Sequence, residues 1–170
     1  MKNPKLVLPS VEYKESFLEA LKEYQEEGLL HYMDLKIEDL RENFEAYIQG
    51  LLDQADGKNL PQGYVAMTRY WLVDGSEFIG RFDIRHELNS FLKKEGGHIG
   101  YDVRPTKRKQ GYGSVGLELA LLKAKELGLK KVLLTCNRSN SASIKIIEKC
   151  AGVLDTQNDS SEKNVYWIEL

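Results

Sequence analysis

Gly96-Gly97-His98-Ile99-Gly100-Tyr101-Asp102-Val103-Arg104-Pro105-Thr106-Lys107-Arg108-Lys109-Gln110-Gly111-Tyr112-Gly113-Ser114 is the stretch on which the fold turns. Ile99, Tyr101 and Val103 alternate with other residues, which predicts a strand with one apolar face. Pro105 has no N–H for a ladder and ends it. Beyond a basic loop, two glycines open an amphipathic helix. Its stripe runs through Val115, Leu119 and Leu122, with Leu117 and Leu121 beside it, up to Gly128. A helix start carries unpaired N–H groups and partial positive charge, and Gly111 and Gly113 leave its approach open. With Lys107, Arg108 and Lys109 alongside, the arrangement predicts a cradle for a pyrophosphate. The same residues would also serve as a solvated turn that merely caps a core helix.

Three phosphate-binding schemes compete for this loop. A Walker-type loop needs Lys-Ser/Thr after its last glycine, and Gly113-Ser114-Val115 does not supply it. A dinucleotide fingerprint is met literally by Gly111-x-Gly113-x-x-Gly116. That scheme, however, puts its first glycine directly after a strand and an acidic residue at the end of the next one. Here a basic loop intervenes, and the following strand, Lys131 to Cys136, leads into Asn137. The third scheme fits best. Val103-Arg104-Pro105 followed by Arg108-x-x-Gly111-x-Gly113 closely resembles the acetyl-CoA signature of the GNAT superfamily of N-acyltransferases. The segment Asn140-Ser141-Ala142-Ser143-Ile144-Lys145-Ile146-Ile147-Glu148-Lys149, with Gly152-Val153 behind it, resembles that family's second motif. The resemblance covers the second half of the chain closely and the first half by element order.

Length and composition set the frame. The size prior makes 170 residues (19.4 kDa) one domain, 1–170, able to bury a substantial core. A net charge of −2 and a pI near 6.0 argue against nucleic acid as partner, so the basic cluster at 104–109 suits one small anion. No apolar run approaches a membrane span, and the first residues are too polar for a signal peptide. Cys136 and Cys150 read as buried hydrophobes of a reducing cytoplasm. The histidines and cysteines show no metal-ligand spacing, so no metal is expected.

Along the chain, Leu6 to Leu8 reads as a first strand, and Val11 to Glu27 as a helix capped by Ser10. Ile37 to about Gln54 reads as a second helix weakened at Gly50, and Asp53 to Gly63 as a loop. Tyr64–Val73 and Glu77–Glu87 are two strands joined at Asp74-Gly75. On the latter, Phe82, Ile84 and His86 share one face and Arg81, Asp83 and Arg85 the other. Leu88 to Gly96 is a loop. The apolar run Val132-Leu133-Leu134 predicts a strand buried on both faces, paired in parallel with 97–103 through a right-handed crossover. Ser141 to Cys150 reads as a short helix. Gly152–Thr156 and Val165–Ile168 read as a closing antiparallel pair, with a mobile connection over 157–164.

The resemblance implies an α/β fold of the α+β kind, a central mixed sheet of about six or seven strands with helices on both faces. It implies an N-acetyltransferase that moves an acetyl group from acetyl-CoA to a primary amine of a small molecule or peptide, in a ternary complex. Tyr101 and Val103 would face the pantetheine and the acyl carbonyl. Arg108, Gly111, Gly113 and Ser114 would hold the pyrophosphate, with Lys109, Gln110 and Tyr112 in the same turn. Asn140 and Ser143 would lie along the pantetheine. Two departures stand out. Ile147 takes the place of a tyrosine acid, and Thr135 that of a glutamate base. His98 is the first substitute base, with its pKa range suited to proton transfer, followed by His86 and Glu87. Tyr101 and Tyr166 are candidate donors. An acyl-CoA-binding module without turnover is the alternative, and a homodimer sharing the closing strands is compatible with the sequence.

Overall fold

The computed structural model describes residues 1–156 and 162–170; most of the connection expected to be mobile, 157–161, lies outside them. The elements run β1 (Pro4–Val7), α1 (Lys14–Glu26), α2 (Leu30–Met33), α3 (Ile37–Glu42), α4 (Phe44–Ala55), β2 (Met67–Asp74) and β3 (Glu77–Arg85). Then follow α5 (Leu92–Glu95), β4 (Ile99–Val103), α6 (Tyr112–Glu126), β5 (Lys131–Asn137), α7 (Ser141–Lys149), β6 (Val153–Leu154) and β7 (Lys163–Glu169). The helices depart from the sequence expectation in two ways. The helix expected over 37–54 breaks at Asn43, whose φ of −116° and ψ of 33° leave the helical region while its side chain bonds to the Asp39 carbonyl. Short helices α2 and α5 occupy segments with too few residues for a periodic signal.

Strands β1–β4 form an antiparallel sheet in sequence order, and β5, β7 and β6 form a second antiparallel sheet. The register slips between Leu72 and Val73: Gly80 lies opposite Leu72 and Phe78 opposite Val73. Ile79 is the extra residue of this bulge, and the slip changes which face the strand's side chains occupy. Trp71, Val73 and Phe78 pack under α1, α3 and α4 with Phe17, which stacks on Trp71 at 4.8 Å. Leu72, Ile79, Phe82 and Ile84 pack on the other face with Leu117 and Ala120 of α6. The expected helices on both faces therefore follow from two apolar faces of one sheet.

The parallel pairing expected between 97–103 and the strand 130–136 is not a ladder. β5 pairs instead with β7, antiparallel throughout its length. It meets the β4 side at a single bridge, Gly97 with Leu134. At this point Gly97 takes a φ of 68°, and a Cβ there would overlap the Leu133 carbonyl, so only glycine fits. Beyond it the two strands part, and the opening between them is the cleft described next.

Candidate active site

The start of α6 lies beside the end of β4 and against α7, and none of its residues is among those lining the cavity described below. Gly111 precedes that helix in the left-handed region, with φ 87°, and no side chain caps the N–H groups of Tyr112, Gly113 and Ser114 among the described residues. By contrast, α7 is capped: the Asn140 side chain accepts from the Ser143 N–H at 3.1 Å. A Cβ on Gly113 would meet Ile146 of α7 at 2.8 Å and Val103 of β4 at 4.0 Å. The open amides thus sit between the end of β4 and α7. Gly116, the third glycine of the literal dinucleotide pattern, serves packing instead, since a Cβ there would overlap the Phe82 ring.

The basic loop is mostly neutralised from within. Arg108 donates from Nε to the Val103 carbonyl at 2.9 Å and grips Glu27 of α1 with both terminal nitrogens. Arg104 is buried and pairs with Glu23 at 2.7 Å, while Lys107 pairs with Glu77 at 2.7 Å. Gln110 turns back to the Thr106 carbonyl at 2.9 Å. Lys109, at φ 59°, is the cation of this loop that makes no ion pair among the described residues. Arg108 is therefore a brace for the loop, and Lys109 carries the charge left for a ligand.

A cavity of about 910 Å³ fills the opening between β4 and β5 and continues over β2 and β3. Tyr101, Thr135, Cys136, Asn140, Ser143 and Ile147 line its inner part. Tyr101 stacks on Phe82 at 5.2 Å. Its hydroxyl is buried and completes no hydrogen bond, although Ser143 lies close enough to oppose the shift that burial causes, which pushes the phenol up to about 12. Thr135 donates to the Glu95 carbonyl at 3.1 Å, and Ile147 is buried with an apolar side chain on the wall.

The histidines stand elsewhere. His98 is absent from the lining and sits at the divergence point, where its N–H donates to the Leu133 carbonyl at 2.7 Å. Its Nδ1 accepts the Leu133 N–H at 2.9 Å, doing what a strand carbonyl would have done. Burial, and then the charge of Arg85, pull its pKa down to about 4. A histidine so held stays neutral and is a poor base, so its role is to clamp the two strands. His86 shares a 2.8 Å hydrogen bond with Thr68, Glu87 is exposed, and Tyr166 is buried against Glu148 at 3.4 Å. None of these lines the cavity.

An ionic floor lies under the cavity, and no motif in the sequence pointed to it. Arg69 holds Asp83 through two bonds of 2.7 and 2.9 Å, and Arg81 reaches Asp83 at 3.1 Å and Asp102 at 2.5 Å. Tyr32 of α2 donates to Asp102 at 3.1 Å. Burial alone would raise the Asp83 pKa; Arg69 and Arg81 outweigh it and hold the carboxyl down to about 2. The alternation Arg81, Asp83, Arg85 is visible in the sequence as a polar strand face. Its burial is not, because Arg69 and Tyr32 come from other elements, which the local pattern of β3 does not record.

Among the described residues, no group of three or more His, Cys, Asp or Glu is placed to hold a metal ion, and no helix is long and apolar enough to cross a membrane. No curated protein matches the chain. Solved structures do. A microcin C7 self-immunity acetyltransferase, MccE, in complex with acetyl-CoA and AMP aligns with TM-score 0.69 at 13% identity, over 100% of this chain and 94% of that one. RimL, a ribosomal L7/L12 α-N-protein acetyltransferase in complex with coenzyme A, aligns with TM-score 0.70 at 14% identity, over 100% and 96%. RimJ of Mycobacterium smegmatis aligns with TM-score 0.67 at 14% identity, over 99% and 82%. At such identities the likeness is one of fold. The family model described as an acetyltransferase (GNAT) domain matches residues 14–152. With that match spanning most of the sequence, the chain belongs to the GNAT acetyltransferase family.

Proposed function

We propose that this acetyltransferase moves the acetyl group of acetyl-CoA to a primary amine of a small molecule or peptide, by direct attack within a ternary complex. The observation that carries the reading is the uncapped, glycine-bearing start of α6 set against the end of β4, a strand that parts from β5 after the bridge at Gly97. Solved neighbours of the same fold bind coenzyme A or acetyl-CoA, which supports it. The amides of Tyr112, Gly113 and Ser114, with Lys109, would hold the pyrophosphate, and Arg108 would keep their loop in place. Asn140 and Ser143 would lie along the pantetheine, and the free edge of β4 at Tyr101 and Val103 would offer backbone groups to the acyl carbonyl. Acetyl-CoA supplies an activated thioester; the chain supplies orientation and a fixed electrostatic field.

In this reading Tyr101 is a hydrogen-bond donor to the departing sulfur. A phenol near 12 keeps its proton at neutral pH but gives it up reluctantly to a thiolate whose acid has a pKa of about 8.5. The carboxylates lining the cavity are each paired: Asp83 and Asp102 with arginines, and Glu95 with Lys163 at 2.6 Å. None stands ready as a base. We infer instead that the arginines disfavour the ammonium form of a bound amine, since a like charge nearby lowers its pKa.

Titration calorimetry with CoA tests the donor site. Gly113→Glu places a carboxylate against the amides and should weaken CoA binding at least tenfold, or about 1.4 kcal/mol, with the melting temperature recorded beside it because the new Cβ also presses on Ile146. Unchanged affinity would overturn the assignment. Thiol release in the presence of amines, followed with a thiol-trapping reagent, separates turnover from binding alone.

A further inference from the structure

The cavity floor has more positive than negative charge, and the excess sits on one residue. Arg69 and Arg81 are closed by Asp83 and Asp102. Arg85, which lines the same cavity, has no carboxylate within ion-pair distance among the described residues. Its Nη1 donates to the Gly97 carbonyl at 3.1 Å and lies 3.4 Å from that of Gly96. Those contacts fix the guanidinium, while Nε and Nη2 keep their donors unused among the described residues. A half-buried, immobilised guanidinium with a free edge is a ready partner for a carboxylate, which accepts two parallel N–H bonds.

Its position sets the spacing of the ligand. A Cβ on Gly100 would lie 3.6 Å from Nη1 and 3.9 Å from Nη2 of Arg85, so the missing side chain at Gly100 leaves room beside the guanidinium. Gly100 adjoins Tyr101, and neighbouring Cα atoms are about 3.8 Å apart. A group bound by Arg85 is thus within a few bonds of one presented to the β4 edge at Tyr101.

We propose, on top of the donor reading above, that the acceptor is a free amino acid or a close analogue, with its carboxylate on Arg85 and its amine beside Tyr101. The same field that binds the carboxylate disfavours a second cation, so a polyamine is a poor fit.

The experiment uses the full chain with acetyl-CoA and a thiol-trapping reagent. The acceptors are the free amino acids, their α-carboxamides and spermidine. The amino acids should exceed their carboxamides about tenfold or more in kcat/KM, mostly through KM, because a charged hydrogen-bond pair is lost in the amide. Arg85→Met should erase that ratio and Arg85→Lys recover part of it, while CoA affinity by calorimetry stays at the wild-type value in both. Carboxamides or spermidine used as well as the amino acids would overturn the proposal, and so would CoA binding with no amino acid acetylated. Failure of the wild type to bind CoA would overturn the donor reading itself, and this proposal with it. Should Arg85→Met fold poorly, the wild-type acid-to-amide ratio decides the matter alone.

Discussion

Single residues in this protein carry roles that their type does not announce. His98 has the titration range of a catalytic base, yet it serves as an acceptor for the Leu133 N–H. Its pKa, pulled down to about 4 by burial and then by Arg85, ties stability to pH. An unfolded chain takes up a proton near pH ~6.5 that the folded one refuses. Stability is therefore undiminished above about pH 6.5 and is lost as pH falls toward 4, by roughly 1–3 kcal/mol. Denaturant titrations of the wild type and His98→Gln at about pH 7 and about pH 4.5, either side of that window, check this; the variant should lose this part of the pH dependence. Tyr101 has the reverse character, a packed aromatic whose hydroxyl completes no hydrogen bond among the described residues. Tyr101→Phe should lower kcat about tenfold or more, with little change in CoA affinity, as removal of a donor to developing charge does. Equal kcat in the two proteins would remove Tyr101 from the chemistry.

At the scale of elements, the helix α6 shows how one segment answers two demands. Its first turn is open to an anion, and its second is pressed onto the sheet at Gly116, where Phe82 leaves no room for a Cβ. Gly116→Ala should destabilise the protein by about 1–3 kcal/mol. For a chain of this size each kcal/mol lowers the melting temperature by about 2–4 °C. Phe82→Leu in the same chain should recover part of the loss, and a calorimetric scan of wild type, single and double variants tests it. The extent of the helix was legible from its bounding glycines, as was α7 from Asn140 onward, but the stripe read through Val115, Leu119 and Leu122 is not the buried face: Leu122 is exposed, and Gly116, Leu117, Ala120 and Ala124 face the sheet. The short helices α2 and α5 were not, because a single turn shows no period. The break at Asn43 was hidden for the opposite reason: the apolar positions continue in helical spacing across it, and one backbone angle interrupts them.

For the molecule as a whole, ionic and hydrogen-bonded contacts tie the first half of the chain to the second. Glu23 and Glu27 of α1 hold Arg104 and Arg108, and Tyr32 reaches Asp102. Under the cavity, Asp83 pairs with both Arg69 and Arg81, so Asp83→Asn would leave the half-buried Arg69 without its carboxylate and Arg81 with Asp102 alone. Chemical unfolding should show a loss of about 3–5 kcal/mol, and a near-neutral result would mean that solvent already reaches the pair. The helices on both faces of the sheet came with the resemblance to the family; by itself the sequence determined the strand, loop and helix around residues 97–128, the hairpin at Asp74-Gly75 and the short helix from Ser141. All of these rest on local periodicity, glycine, proline and cap chemistry, which act between near neighbours in the chain. Only the tertiary structure decided that β4 and β5 part after one bridge, that Arg108 is engaged by Glu27, that His98 is a clamp, and that Arg85 has no carboxylate partner among the described residues. Each of those depends on which distant side chain fills the space beside a residue, and burial and charge pairing between remote segments leave no period to read.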